Sequence, residues 1–349
     1  CLATLCVTLR FSHVDTSPPS AERNRPMQNR PVRYRGAEFP VIERFRIGGR
    51  IYLAVAKIGT SGRRAFQVFD TGAKQMRALH ILPNSPGGFD RVRTLQRLTR
   101  GDNEILQILE CHRDGDSVYV VLPWIDGFNL RSVLNGIRDR NRQRIAAPEA
   151  VRLVKGVAHA LRHLHRNKQI IHGDIKPANL ILTKRTSLVL IDYGNAWTIE
   201  RTTGRDDGDG VSGAYAAPEF LRGEAHVNFR ADCFSLGVVL YEILTDRIPY
   251  DGHGGKVGML PDPVKSGSQL VPASKIGPER EKLPKRIWRP IDELLNRSLA
   301  IDADDRFETS SQWVDSWNSV MTEIRQTAKT GSRKALGSQM IDWIQRRLG

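Results

Sequence analysis

Asp174, Lys176 and Asn179 fall within six positions of one another, and Asp192 follows thirteen residues after Asn179. Together they offer a carboxylate free to accept a proton, an amine, and an Asn/Asp pair of hard oxygen ligands suited to Mg²⁺. The residues around them explain how such a set could be held. Ile170-Ile171 and Leu180-Ile181-Leu182 precede a short linker, and Leu188-Val189-Leu190-Ile191 follows it. These are apolar runs of strand length with polar residues clustered where each meets a turn. A hairpin between the second and third runs brings Asp192 back beside Asn179.

His172-Gly173-Asp174-Ile175-Lys176-Pro177-Ala178-Asn179 resembles the catalytic loop of protein kinases, and Asp192-Tyr193-Gly194 resembles their metal-binding Asp-Phe-Gly turn. The resemblance implies that Asp174 orients and deprotonates a substrate hydroxyl. It implies that Lys176 neutralises charge on the transferring phosphoryl group, and that Asn179 and Asp192 hold Mg²⁺. ATP is then the co-substrate and a protein hydroxyl the acceptor. Small-molecule phosphotransferases of the aminoglycoside and choline kinase type also carry His-Gly-Asp followed by Asn. Three downstream features favour a protein kinase. Ala217-Pro218-Glu219 matches the motif that closes the activation segment, and Asp232-Cys233-Phe234-Ser235-Leu236-Gly237 resembles the start of the buried helix of the C-terminal lobe. Arg306 stands where those kinases place the Arg that pairs with the Glu of Ala-Pro-Glu. Lys176, and Ser212 three residues before Tyr215, resemble serine/threonine rather than tyrosine kinases.

The implied fold is α+β and two-lobed: a mostly disordered basic arm over 1–37, an N-lobe over 38–125 with an antiparallel sheet and one helix, a mainly helical C-lobe over 126–327, and a tail over 328–349. Short β-like runs at Val41–Ile47, Ile51–Ile58, Ala65–Phe69 and Met76–Leu82 are punctuated by Gly-rich or polar turns. Helical spacing of Phe89, Val92, Leu95 and Leu98 predicts a helix over 88–99. Ile105–Leu109 and Ser117–Leu122 read as two further strands. Leu122-Pro123-Trp124-Ile125 resembles the hinge between lobes, with Leu122 as gatekeeper and backbone groups of Pro123 and Ile125 facing adenine. In the C-lobe, Glu149–Arg166 is strongly amphipathic, and Ala231–Leu244 is apolar nearly all round and so buried. Helices over Ile291–Leu299 and Ser311–Thr327 close the lobe. The tail ends in an amphipathic segment containing Met340, Ile341, Trp343, Ile344 and Leu348, read as docking on its own lobe.

The N-lobe departs from the family pattern of a Gly-x-Gly-x-x-Gly-x-Val cover and a Lys on the third strand. Two arrangements are open. In the first, Gly59-Thr60-Ser61-Gly62-Arg63-Arg64-Ala65-Phe66 is the cover, with Gly59 first, Ser61 at the second glycine and Arg64 at the third. Met76–Leu82 is then the third strand and His80 replaces the Lys. In the second, Ile51-Tyr52-Leu53-Ala54 follows the cover and Gln67 replaces the Lys. The first makes residues 51–82 a regular three-strand meander. By resemblance it sets Phe66, Ala78, Leu122 and Ile181 against the nucleotide. Neither arrangement has the Lys or its helix partner Glu, whose position falls near Arg91. Losing one preorganised contact to a transition state costs about 10²–10³ in rate, which slows an enzyme without abolishing it. Arg64 is the candidate replacement cation, similar to the with-no-lysine kinases. Gly173 replaces the catalytic-loop Arg that pairs with an activation-loop phosphate, so no activation by phosphorylation at Thr202, Thr203 or Ser212 is expected.

The 349 residues accommodate one such two-lobed domain with short tails, and 40% hydrophobic composition suits a globular core. The net charge is +15, part of it from nine Arg against four acidic residues in the first fifty. No aromatic-interleaved basic patch accompanies it, so no nucleic-acid partner is expected. Cys1, Cys6, Cys111 and Cys233 have no metal-ligand or Cys-x-x-Cys spacing and read as free thiols of a reducing, cytoplasmic compartment. No run has the roughly 18–20 apolar residues a membrane span needs. Residues 1–7 are apolar but too short for a signal peptide. The complete C-lobe set argues for an enzyme. The degraded nucleotide clamp argues for a pseudokinase that binds or scaffolds.

Overall fold

The computed structural model describes residues 30–58, 64–102, 105–193, 196–198, 213–224, 226–261, 267–281 and 283–330. Gly59, Ser61, Gly62, Gly194, Thr202, Thr203, Ser212 and the amphipathic tail lie outside them.

The chain starts with a hairpin of β1 (Val32–Tyr34) and β2 (Ala37–Phe39), whose turn residues Arg35 and Gly36 both have positive φ. Two such residues match the right-handed twist of the flanking strands. This corrects the arm over 1–37, whose last part is folded: Val32 is buried against Val55 and Met76. Next come β3 (Glu43–Ile47), β4 (Arg50–Ile58), β5 (Arg64–Asp70) and β6 (Gln75–Pro83), then helix α1 (Gly88–Thr99), β7 (Glu110–Asp114) and β8 (Ser117–Pro123). Six strands form one antiparallel sheet in the order β3-β4-β5-β6-β8-β7. The strand that pairs with β8 is β6, as the first arrangement requires; the second would need β5 there. Ile105–Leu109 is not a strand. Ile105, Leu106 and Ile108 are instead buried beside Val92 and Leu95 of α1, and pairing begins at Glu110.

After β9 (Gly127–Asn129) the chain turns helical. The Asn129 side chain caps α2 (Leu130–Arg138) by accepting from the Arg131 N–H. Helix α3 (Ala147–His163) carries Pro148 in its first turn, where a missing N–H costs nothing. Then come β10 (Ile170–Ile171), β11 (Leu180–Thr183), β12 (Leu188–Leu190) and β13 (Trp197–Thr198), followed by α4 (Pro218–Leu221), α5 (Phe229–Thr245), α6 (Ala273–Ile276), α7 (Lys285–Ser298) and α8 (Ser310–Thr330). Every residue of α5 from Ala231 to Thr245 is buried, as its all-round apolar pattern demands. Trp313 and Trp317 of α8 are wholly buried in the same core.

The two lobes are tied behind the sheet. The Asp102 carboxylate, just past α1, meets His163 Nε2 at 2.6 Å at the end of α3 and Lys168 Nζ at 3.0 Å on the turn that follows it. Among the described residues no helix is long and apolar enough to cross a membrane.

Candidate active site

The loop that carries Asp174, Lys176 and Asn179 lies between β10 and β11 and is held from beneath by α5. The wholly buried Asp232 carboxylate accepts the backbone N–H of His172 and of Gly173, both at 2.9 Å, and contacts His165 Nε2 at 2.8 Å. Burial alone would raise the Asp232 pKa, but the His165 hydrogen bond, together with nearby positive charge and the Gly173 N–H, holds it below its ordinary value. A charged carboxylate inside an apolar helix was the available sequence signal for this support, and reading the motif only as the helix start missed it.

On that platform Asp174 is buried, and its two carboxylate oxygens each lie 2.8 Å from Lys176 Nζ. Asn179 donates its side-chain N–H groups to the Asp174 backbone oxygen at 2.8 Å and to Asp174 Oδ2 at 3.0 Å. The β11–β12 hairpin pairs Leu180 with Leu190, and the Ile191 N–H donates to the Asn179 backbone oxygen at 2.9 Å. Asp192 is thereby brought back beside Asn179. Its φ of 66° is a left-handed conformation costly for a non-glycine residue, of the kind stored at functional sites. Because the Asn179 N–H groups are committed to Asp174, its amide oxygen is left to face a ligand. An amide oxygen and a carboxylate are hard donors of the kind Mg²⁺ takes. Among the described residues no cluster of three or more His, Cys, Asp or Glu suited to another metal occurs.

Tyr193 replaces the Phe of the family turn. Its ring packs 5.2 Å from His172, and burial pushes its phenol pKa up. Burial pushes the His172 pKa down against the pull of Asp232, Asp174 and Asp192, so the ring is neutral.

Strand pairing decides which N-lobe residues face the cleft. Ala78 is opposite Leu122 and His80 opposite Val120, and Ala78, Val120 and Leu122 pack in the core shared with α1. Pro123 and Ile125 follow, both half-buried, at the crossing to the C-lobe, and Ile181 lies half-buried on β11 between buried Leu180 and Leu182. Phe66 and Arg64 do not join them. Phe66 is opposite Leu79 and buried with Phe45 and Tyr52 on the other face. Arg64 is opposite Ile81 on that same face and reaches Glu43 at 3.5 Å in an exposed ion pair. A one-residue shift in strand register reverses every side chain, and here it removes Phe66 and Arg64 from the nucleotide side. The residues of β5 on the face of Ala78 and His80 are Ala65, Gln67 and Phe69. On α1, Gln96 bonds the backbone of Leu109 at 3.0 Å, which turns one flank toward β7. Arg91 of the same helix is half-buried, and its buried Nε has no hydrogen-bond partner among the described residues.

Closing the segment after the site, Arg306 donates to Glu219 through both terminal nitrogens, at 2.8 and 3.0 Å. Nearby, Glu242 is buried under Arg131, Arg138 and Tyr215, receiving hydrogen bonds from all three.

The protein kinase domain model matches residues 84–317. The chain is 30% identical over 207 residues to the serine/threonine-protein kinase PknB of Mycolicibacterium smegmatis, covering 57% of this chain and 30% of the relative. It is also 30% identical over 207 residues to the serine/threonine-protein kinase PrkC of Bacillus subtilis, covering 59% and 29%. The PknB of Mycobacterium tuberculosis is 28% identical over 206 residues, covering 57% and 29%. The chain thus spans about three-tenths of the length of these curated relatives.

Proposed function

Since the chain belongs to the protein kinase domain family, we propose that it is a serine/threonine protein kinase transferring the γ-phosphoryl group of ATP to a protein hydroxyl. The observation that carries this reading is the bonded set of Asp174, Lys176 and Asn179, with Asp192 returned beside it by the hairpin. A scaffold with no catalytic use for these four residues has little reason to bury a carboxylate and then anchor its loop through a second one.

In the proposed reaction the Asp174 carboxylate accepts a hydrogen bond from the substrate hydroxyl and orients its oxygen toward the γ-phosphorus. The new bond forms between that oxygen and the γ-phosphorus, and the bond to the β-phosphate bridging oxygen breaks, leaving ADP. The hydroxyl proton passes to Asp174, a contribution of about 10²–10⁴ in rate for a positioned base. The Lys176 ammonium, 2.8 Å from both Asp174 oxygens, offsets negative charge where the phosphoryl group transfers. When bound, Mg²⁺ supplies charge neutralisation along the phosphates. Asn179 Oδ1 and the Asp192 carboxylate are the residues that would hold it. Ala78, Leu122, Pro123, Ile125 and Ile181 are assigned to the adenine side of the cleft.

A second reading, a pseudokinase holding nucleotide as a structural ligand, is favoured by His80 and Arg91 standing where the family carries Lys and Glu. One experiment separates the two. Purified chain is incubated with Mg²⁺ and γ-labelled ATP, with and without a generic protein substrate, beside Asp174→Asn and Asp192→Asn. Transfer by the wild type that both variants lose supports the kinase. No transfer, with thermal stabilisation by Mg·ATP intact, supports the pseudokinase.

A further inference from the structure

Gly173 has a φ of 69°, and a Cβ built on it would overlap the six-membered ring of the Trp197 indole. The absence of a side chain at 173 is therefore what lets Trp197 lie on the catalytic loop. Trp197 is set there by backbone pairing, since β13 runs antiparallel to β10 with Trp197 opposite Ile171. Its other face is used as well. The indole stacks on Phe220 with ring centroids 5.3 Å apart and planes inclined by 13°, a geometry worth more than area burial alone. Phe220 is itself buried and follows Glu219, which Arg306 clamps to the core of the C-lobe. One aromatic side chain thus joins the catalytic loop to both ends of the segment running from Trp197 to Phe220.

We propose that Trp197 is a positioning residue for substrate: it holds the two ends of this segment against the catalytic loop by an uncharged stack, in place of an arginine–phosphate pair. The inference rests on the kinase reading for its kinetic consequences. It has physical content of its own, because an apolar stack needs no phosphate and is insensitive to salt, whereas a charge-assisted pair is neither. The two described ends, at Trp197 and at Phe220, are thereby held together without a phosphate.

The test uses the full chain, with Trp197→Ala and the stack-preserving Trp197→Phe. In the alanine variant, amides of residues 213–221 exchange hydrogen faster. Its KM for the protein substrate rises by about tenfold or more while kcat and the Kd for Mg·ATP change little, the pattern of lost ground-state binding. Trp197→Phe restores both readouts to within about threefold of the wild type. Phosphatase treatment of the wild type leaves KM and kcat unchanged. Unaltered exchange at 213–221 in Trp197→Ala, unaltered KM despite a lowered Tm, or loss of wild-type activity on phosphatase treatment would each overturn the proposal. If the wild type transfers no phosphate, the kinase reading fails and the exchange comparison alone decides the role of Trp197.

Discussion

Arg306 and Glu219, 87 positions apart in sequence, form two parallel hydrogen bonds in a site where neither side chain is more than 3% exposed. The remaining guanidinium donors reach the backbone oxygens of Ala300, Arg230 and Ile301. Removing either partner strands a buried charge, which costs about 3–5 kcal/mol. Glu219→Gln and Arg306→Ala are each expected to lower the unfolding free energy measured in urea by this amount, and the double variant to lose much less than the sum. Additive losses would show that the two groups are not energetically coupled.

The outward course of Arg64 predicts a null result. Its exposed pair with Glu43 contributes under about 1 kcal/mol, and its face of the sheet is not the one that carries Ala78 and His80. Arg64→Ala and Lys74→Ala should therefore both leave Mg·ATP affinity, measured by calorimetry, where it was. A selective loss in Arg64→Ala would return Arg64 to the nucleotide.

For the missing clamp, His80→Lys alone is expected to help little, because Arg91 occupies the position of the partner Glu and repels the new charge. Together with Arg91→Glu it should raise kcat/KM by about tenfold or more, part of the 10²–10³ that one preorganised contact supplies. The coupling is read from a double-mutant cycle. If each single change acts independently, positions 80 and 91 are not partners.

Acid sensitivity follows from His172. Its pKa in the folded protein is lowered by burial, so between that value and the ordinary one near 6.5 the unfolded chain binds a proton that the folded chain does not. Stability is therefore full above about pH 6.5 and falls as pH decreases below it. The lowered Asp232 pKa acts in the same direction, in the range below about pH 4. Urea unfolding of His172→Phe from pH 7.5 to 5 should show a flatter pH slope than the wild type, whatever its absolute stability. A slope equal to that of the wild type would mean that His172 is protonated in the folded protein.

The proximity of the four proposed catalytic residues was legible because it is local. Asp174, Lys176, Asn179 and Asp192 belong to one loop and one hairpin, so spacing and apolar alternation suffice to bring them together. The same holds for α1, α3 and α5, whose periodicity states which face is covered. Phe66 and Arg64 were misplaced because their face depends on where β5 enters its pairing with β6, and a slip of one residue reverses it. The hairpin over 32–39 escaped notice since three-residue strands carry almost no pattern, and its stability comes from Val55 and Met76, contributed by other strands. Ile105–Leu109 has strand composition, but its apolar side chains are taken up by the core that includes Val92 and Leu95 of α1, and ladder pairing starts only at Glu110. Tertiary structure alone decided the contacts between residues far apart in sequence: Asp232 beneath the catalytic loop, Asp102 against His163 and Lys168, and Trp197 between Gly173 and Phe220. Each depends on where packed helices and strands set two backbones, and a sequence read along the chain holds no record of that distance.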